Sequence, residues 1–301
     1  MKLYAPDYYQ NFHCIASDCK HSCCIGWEID IDQNSLLRYQ TMTHPYGEII
    51  RKHIDVQEET ACFSLTKEEK CPFLKENGLC NMILNLGEDS LCQICRDHPR
   101  FRNYFSDREE IGIGLCCEEA ARLVLGQNKK TELVLLSDNG EQDGLWEEEA
   151  ELIALRDELF ESLQNQTLTL TERIASMLHR VQAEPIKQEE LPFWQEKLLS
   201  LEQLDPTWQD LLQYVTAGNN KPKALDLPLE KLTLYLLYRH LPNAVNEEEI
   251  RATVRFAYFG YLLIKTICEN TDTPIEEAAR MFSSEIEYSE ENTRTLLELL
   301  A

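Results

Sequence analysis

The pattern of hydrophobic and polar positions changes near residue 130. Before it, apolar residues occur in short runs between turns, and Trp27 to Ile31 alternates apolar and acidic positions, which is typical of a half-buried strand. After it, leucines recur at spacings of three and four residues, the period of an amphipathic helix: Leu152, Leu155, Leu159 and Leu163. The pattern predicts a mainly α protein with small β elements, in which an all-α helical domain follows an N-terminal domain of short elements.

Turn and capping residues predict further elements in the first 126 residues. Asp32 is suited to cap a helix that begins nearby. Asn77-Gly78 predicts a tight hairpin turn between residues 71–74 and 79–80, and Ser106-Asp107 predicts a second hairpin. A helix is expected to open at Cys117 and to end at Gly126.

The segment from residue 128 to residue 145 is polar apart from Leu133–Leu136, and Asn139-Gly140 interrupts it. A chain of 301 residues is long enough for about two domains. We therefore expect a cysteine-rich domain over residues 1–127, a linker over residues 128–145 and an acidic helical domain over residues 146–301.

Charge is distributed unevenly along the chain. Residues 1–130 carry 20 acidic and 15 basic side chains, residues 131–301 carry 33 and 14, and the net charge is −24. Such a negative field repels phosphate backbones, so nucleic acid is not an expected partner. It would attract a lysine-rich protein or a cationic ligand; the alternative interpretation is that the acidic helix faces only confer solubility.

Eleven of the twelve cysteines lie between Cys14 and Cys117, and only Cys268 lies beyond them. The first residues contain no secretory signal pattern, and no apolar stretch reaches the ~18–20 residues of a membrane span, so we expect a cytoplasmic protein without a membrane partner. Cytoplasmic thiols stay reduced, which favours a metal site over a disulfide framework.

The cysteine spacings are C-x4-C-x3-C-C, C-x8-C, C-x2-C and a final C-C pair. Thiolates bind zinc or iron–sulfur clusters, and adjacent cysteines suit a larger cluster better than one small tetrahedral ion. Common zinc fingers have other spacings, so the sequence leans toward an iron–sulfur cluster and keeps zinc as the alternative. The isolated Cys62 and Cys268 are more typical of plain buried cysteines.

The first 126 residues contain an ordered group of motifs. They are Tyr8-Tyr9, Phe12-x-Cys14, Cys19-x3-Cys23-Cys24-x-Gly26-Trp27, Cys71-x-Phe73-Leu74, Asn77-Gly78-Leu79-Cys80, Leu86-Gly87-Glu88, Cys95-x3-Pro99-Arg100 and Cys117-x-Glu119-Ala120-Ala121-Arg122-Leu123. This group resembles the flagellin lysine-N-methylase family. A looser resemblance is to small cysteine-rich proteins described as zinc or iron chelators.

The family resemblance implies S-adenosylmethionine-dependent methylation of surface lysines on flagellin, and an iron–sulfur cluster. Seven cysteines are carried over by position as candidate ligands, more than the four that one [4Fe–4S] cluster needs. Cys92 and Cys116 are then local additions without an assigned role. The candidate ligands are Cys19, Cys23, Cys24, Cys71, Cys80, Cys95 and Cys117.

Methyl transfer to lysine requires a neutral amine, so a carboxylate or a tyrosine should accept its proton. Tyr8, Tyr9 and Glu119 are the candidates; the alternatives are core packing for the tyrosines and helix N-terminal charge for Glu119. Arg100 is the candidate for binding an anionic group of the cofactor. The competing hypothesis is a non-enzymatic iron–sulfur or zinc protein that serves electron transfer, metal handling or a zinc-stapled interaction.

Overall fold

The computed structural model describes residues 1–57, 60–140, 144–218 and 223–301 of the chain. Within them the strands are short and end before residue 139. They are β1 (Lys2–Pro6), β2 (Ile29–Asp30), β3 (Ile54–Gln57), β4 (Thr60–Phe63), β5 (Arg100–Tyr104), β6 (Arg108–Ile113) and β7 (Leu133–Asp138).

Helices make up about 54% of the structure, which confirms the predicted mainly α class with small β elements. The α-helices are α1 (Gln33–Thr41), α2 (Tyr46–Arg51), α3 (Asn81–Leu86), α4 (Gln93–Asp97), α5 (Glu118–Leu125), α6 (Glu147–Leu163), α7 (Leu170–Arg180), α8 (Leu191–Ser200), α9 (Pro206–Leu212), α10 (Asp226–His240), α11 (Glu247–Asn270), α12 (Ile275–Phe282) and α13 (Glu290–Leu300). Short 3-10 helices cover Tyr9–Asn11, Ala16–Asp18, Glu88–Ser90, Gln188–Glu190 and Leu241–Asn243, and a π-helix covers Ser283–Glu287.

The chain forms two compact units. The helical unit comprises Met1–Phe12 and Phe101–Ala301, and the cysteine-rich unit comprises His13–Arg100. These bounds differ from the predicted domain boundaries at residues 127 and 146. The physical reason is that Tyr8, Phe12 and the helix α5 contribute apolar side chains to the core of the helical unit.

A four-stranded sheet brings the first residues into the helical unit. Its strand order is β5-β6-β1-β7, with β1 parallel to β6 and antiparallel to β7. β7 lies inside the segment predicted to be a linker. Its residues pair with β1, and Leu133 packs against the core of the helical unit; residues 141–143 of that segment lie outside the described residues.

The helical unit is built around α10 and α11. α10 is buried continuously from Leu229 to Tyr238, and it packs against α5, α6 and the 24-residue α11. The described residues from 146 onward contain helices and turns only, as the leucine spacing predicts. None of the helices in the described residues is both long and apolar enough to cross a bilayer.

The cysteine-rich unit has its own core and a three-stranded antiparallel sheet in the order β2-β4-β3. Tyr39 and Phe63 are almost completely buried, and the rings of Phe63 and Phe73 meet edge to face with centroids 5.0 Å apart. The predicted strand over residues 27–31 is shorter in the structure, because β4 pairs only with Ile29 and Asp30 and adds one hydrogen bond, from the Ile31 N–H to the Ala61 carbonyl.

Candidate functional site

Five cysteines gather at the core of the cysteine-rich unit, and we call them the thiol cluster. Cys71 and Cys92 are buried in this core, and Cys24, Cys80 and Cys95 are partly buried against it. The five residues come from three separate stretches of sequence, so the fold concentrates sulfur that is dispersed along the chain.

Backbone pairing positions three of the five thiols. The Cys71 N–H donates to the Cys24 carbonyl at 2.8 Å, which brings the two segments side by side. An isolated antiparallel bridge joins Leu74 to Cys80, and the turn between them uses Gly78 at φ 77°, a value that favours glycine. The hairpin turn predicted at Asn77-Gly78 is thereby confirmed, and it presents Cys71 and Cys80 to the same core.

Two polar side chains from the α1 region position the other two thiols. The Asp32 carboxylate accepts the Ser35 N–H that begins α1 and also the Gln93 N–H that begins α4, each at 2.9 Å. Arg38 donates to three successive backbone carbonyls, those of Asp89, Ser90 and Leu91. The backbone is therefore held on both sides of Cys92, the residue that precedes α4.

Two hydrogen bonds between cysteine side chains shift pKa values in the thiol cluster. The Cys95 thiol donates to the Cys92 sulfur, and this bond lowers the pKa of Cys92 and raises that of Cys95. A hydrogen bond from Cys23, opposed by burial and assisted by Ser22, lowers the pKa of Cys24 to about 7. These hydrogen bonds therefore favour ionisation of Cys24 and Cys92 and disfavour ionisation of Cys95.

Burial dominates at the two remaining thiols of the cluster. It raises the pKa of Cys71 to about 12, and the neighbouring sulfurs of Cys24 and Cys80 raise it further. Burial also raises the pKa of Cys80, against hydrogen bonds from the first backbone N–H groups of α3. Without a positive partner, these thiols stay protonated at neutral pH, and a bound metal ion is the kind of partner that releases such protons.

The donor set fits a thiolate-ligated centre by its chemistry, since soft metals prefer sulfur and the cluster offers more than four thiols. The positions of these side chains, however, are not those of a formed metal site. Among residues 1–57, 60–140, 144–218 and 223–301, no three His, Cys, Asp or Glu side chains lie close enough together to hold a metal ion. Ligation would thus require the thiols to give up their mutual hydrogen bonds and turn toward a common point.

The remaining predicted ligands have different surroundings. Cys23 is exposed and reaches the thiol cluster through its hydrogen bond to Cys24. Cys19 is half-buried, and its thiol donates to the His21 carbonyl at 3.0 Å. Cys117 belongs to the helical unit, where it occupies the N-cap position of α5, the helix that the sequence predicts to open there. The predicted ligands that the structure brings together are Cys24, Cys71, Cys80 and Cys95.

Cys92 is the member of the thiol cluster that sequence reasoning did not assign. It is completely buried and hydrogen-bonded to Cys95. The signal was present in the C-x2-C spacing of Cys92 and Cys95, which is typical of paired ligands. Cys62, by contrast, is buried away from the cluster, where burial and the nearby Glu28 raise its pKa to about 11; these are the surroundings of a plain buried cysteine.

Arg100, the candidate for an anionic cofactor group, lies at the end of the cysteine-rich unit. It is half-buried and donates to the Arg96 carbonyl at 3.2 Å. The neighbouring His98 stacks on Trp27, and burial, with a smaller effect of Arg100, lowers the pKa of His98 to about 4. His98 is therefore neutral at physiological pH, and the local positive charge comes from the arginine.

The three catalytic candidates belong to the helical unit. Tyr8 is buried, and its burial, followed by the charge of Asp7, raises its pKa so that the phenol keeps its proton. Tyr9 is half-buried and packs against the same core. Glu119 is buried in the first turn of α5, where both of its carboxylate oxygens accept from Arg122, at 2.6 and 2.7 Å.

Curated proteins similar to the chain include a lysine-N-methylase of Salmonella choleraesuis, a lysine-N-methylase of Salmonella typhimurium and the flagellar biosynthetic protein FliU of Salmonella muenchen. Each is 25% identical over 128 residues, which is 40% of this chain. The matched region spans 31% of each methylase and 75% of FliU.

No protein-family model matches the chain. No solved structure is significantly similar to it. The resemblance predicted from the cysteine motifs is nevertheless confirmed: over 40% of its length, this chain is similar to proteins named lysine-N-methylase.

Proposed function

We propose that this protein is an S-adenosylmethionine-dependent protein-lysine N-methyltransferase that acts on flagellin and contains a cysteine-ligated iron–sulfur cluster. The observation that carries the proposal is the similarity to two lysine-N-methylases and to FliU, a protein named for flagellar biosynthesis. The matched region spans about a third of the two methylases, so the activity, the cofactor and the substrate are proposed for this chain.

S-adenosylmethionine, when bound, supplies an electrophilic methyl group on a sulfonium. The chain must then orient a neutral lysine amine in line with that methyl group and exclude water. The buried phenol of Tyr8 can accept a hydrogen bond from the amine through its oxygen without ionising. Glu119, which forms an ion pair with Arg122, can accept the proton.

Charge supports a basic protein substrate. Residues 131–301 carry most of the net charge of −24, with 33 acidic against 14 basic side chains. A surface of this sign attracts the lysine-rich segments of a partner and accelerates their encounter with the protein. Arg100 provides a local positive charge that is suited to an anionic group of the cofactor.

The thiol cluster is the proposed site of the iron–sulfur cluster. Cys24, Cys71, Cys80 and Cys95 are the candidate ligands that lie together, and Cys92 is a fifth donor among them. A bound cluster would supply a cross-link between three segments of the cysteine-rich unit, or would hold the amino and carboxylate groups of the cofactor.

A second candidate function is a non-enzymatic iron–sulfur or zinc protein, serving electron transfer, metal handling or a zinc-stapled interaction. The observation that favours it is that the thiol cluster lies in a unit with its own hydrophobic core. Such a unit could bind metal without any contribution from the helical unit.

Incubation of the purified protein with methyl-labelled S-adenosylmethionine and flagellin separates these functions. The proposal predicts label on lysine side chains of flagellin, and no label on flagellin whose lysines have been acetylated beforehand. Metal-loaded, folded protein that transfers no methyl group to either substrate contradicts the enzyme and favours the second candidate.

A further inference from the structure

An open cavity of about 550 Å³ lies within the helical unit. It forms where three segments meet: the α5–β7 connection, the α6–α7 connection and the beginning of α10. Leu168 and Leu227 line its rim, and Arg173 and Glu230 line its floor. This volume is in the range of small-molecule sites, which combine apolar walls with a few placed polar groups.

The floor of the cavity and Lys231, the next residue of α10, contain buried charge that does not cancel. Arg173, Glu230 and Lys231 are each no more than 3% exposed. The Glu230 carboxylate pairs with the Arg173 guanidinium through one oxygen and with the Lys231 ammonium, at 3.1 Å, through the other. Two buried cations therefore share one buried anion.

The carboxylate of Glu230 has little capacity left for a ligand. Gln166 donates to it at 2.6 Å, in addition to the two cations. Lys231 also donates to the Lys129 carbonyl at 2.7 Å. The Arg173 Nε, in contrast, is buried and has no hydrogen-bond partner among the described residues. A buried N–H donor without an acceptor is costly, and an oxygen of an anion beside it would offset that cost.

The rim reinforces the positive sign. Lys129 is neutralised by Asp7 at 2.6 Å, whereas Lys130 is exposed and adds a further cation. α10 begins at the cavity without a side-chain cap, so its first N–H groups add positive potential, against the one acidic side chain Asp226. Of the described residues that line the cavity, three are cationic (Lys129, Lys130 and Arg173) and two are anionic (Asp226 and Glu230), in a chain whose net charge is −24.

We propose that this cavity binds a small organic anion of about nucleoside size, with a carboxylate or phosphate held near Arg173 and Lys130 and an apolar part against Leu168 and Leu227. A carboxylate on an amino-acid group and a phosphate on a nucleotide offer the same chemistry to this site. Anion binding at this cavity does not rest on the proposed methyl transfer, because it is inferred from the side chains that line the cavity alone.

Isothermal titration of the full chain with three related probes tests the proposal. S-adenosylhomocysteine carries a carboxylate, adenosine monophosphate carries a phosphate, and adenosine carries neither. At least one of the two anionic probes should bind, with adenosine about tenfold weaker or undetectable. The stronger of the two identifies the head group. If neither anionic probe binds at millimolar concentration, or if adenosine binds equally well, the proposal is overturned.

Charge variants locate the bound anion. Lys130→Glu should weaken binding about tenfold, and Asp226→Asn should tighten it about twofold, because the two changes alter the potential in opposite directions. Lys187→Glu makes the same charge change at an exposed position that does not line the cavity, and should leave the affinity unchanged. Opposite signs, or equal effects of both lysine variants, would place the anion elsewhere and contradict the proposal.

Discussion

Cys92 shows how a single residue organises the thiol cluster. It is completely buried, it accepts a hydrogen bond from Cys95, and its charge acts on both Cys71 and Cys80. Asp32 and Arg38 hold the backbone around it. A residue in this position would contribute to metal binding whether the centre contains iron or zinc.

Cys92→Ser should abolish or strongly reduce bound metal, because a serine hydroxyl is a poor ligand for soft metals. Cys62→Ser is the matched control, since Cys62 is a buried cysteine of the same unit that lies outside the thiol cluster. Metal analysis of both variants, purified without air, checks this. Equal metal content in the two would show that Cys92 is not a ligand.

Substitutions of Glu119 and Arg122 test whether the Glu119 carboxylate accepts the proton or only forms the ion pair. Glu119→Gln and Arg122→Gln both break the pair, and each should cost no more than about 1 kcal/mol of stability because Arg122 is largely exposed. If Glu119 accepts the proton, only Glu119→Gln should lower kcat for lysine methylation, by about 100-fold or more. Similar kcat values for the two variants would leave Glu119 a purely structural role.

Several elements were predictable because their signals are local. Asp32 begins α1, Cys117 and Gly126 flank α5, and Ser106-Asp107 turns β5 into β6, all as the sequence indicates. The second role of Asp32, as the acceptor for the N–H that begins α4, was not predictable, since 61 residues separate the two partners. Local patterns carry no information about such a contact.

The two hydrogen bonds to Asp32 should make the cysteine-rich unit sensitive to acid. Burial alone would raise the pKa of Asp32, but N–H groups of Gln93 and Ser35 outweigh it and lower that pKa to about 2. The stabilising contribution is therefore present above the unfolded-state pKa of about 4, and it is lost as the pH falls from about 4 toward 2.

Denaturant unfolding of Asp32→Asn checks this expectation. The variant should be less stable than the unmodified protein near pH 6, and the difference should shrink toward pH 3. Asp30→Asn removes a carboxylate from the neighbouring strand β2, where it caps no helix, and should not show this pH dependence. A difference for Asp32→Asn that stays constant with pH would contradict the role of its charge.

The molecule has two hydrophobic cores, each in its own compact unit. The boundaries of these units in the sequence do not coincide with the ends of the cysteine-rich stretch. Residues 1–12 precede the cysteine-rich unit in sequence but belong to the helical unit, because β1 pairs with β6 and β7, more than 100 residues away. The predicted domain boundaries followed composition. Composition cannot indicate that a strand at the start of the chain completes a sheet made by residues 100–138.

Hydrogen exchange of single-core variants tests the division into two cores. Ala5→Asp places a charge at a completely buried position of β1 and should accelerate exchange throughout the helical unit. Phe73→Ala removes a ring from the other core and should accelerate exchange in the cysteine-rich unit. The free energy of unfolding of that unit should fall by about 3–5 kcal/mol. Exchange that rises equally in both units for each variant would indicate a single cooperative molecule.

The most direct test of the account is the metal content of protein purified without air. Binding of an iron–sulfur cluster by the thiol cluster predicts a coloured protein with about four iron and four sulfide per chain, retained in Cys62→Ser and lost in Cys92→Ser. A colourless protein that contains stoichiometric zinc would support the zinc site and contradict the iron–sulfur cluster. Folded protein without iron, sulfide or zinc would contradict the claim that these five thiols serve to bind an inorganic centre.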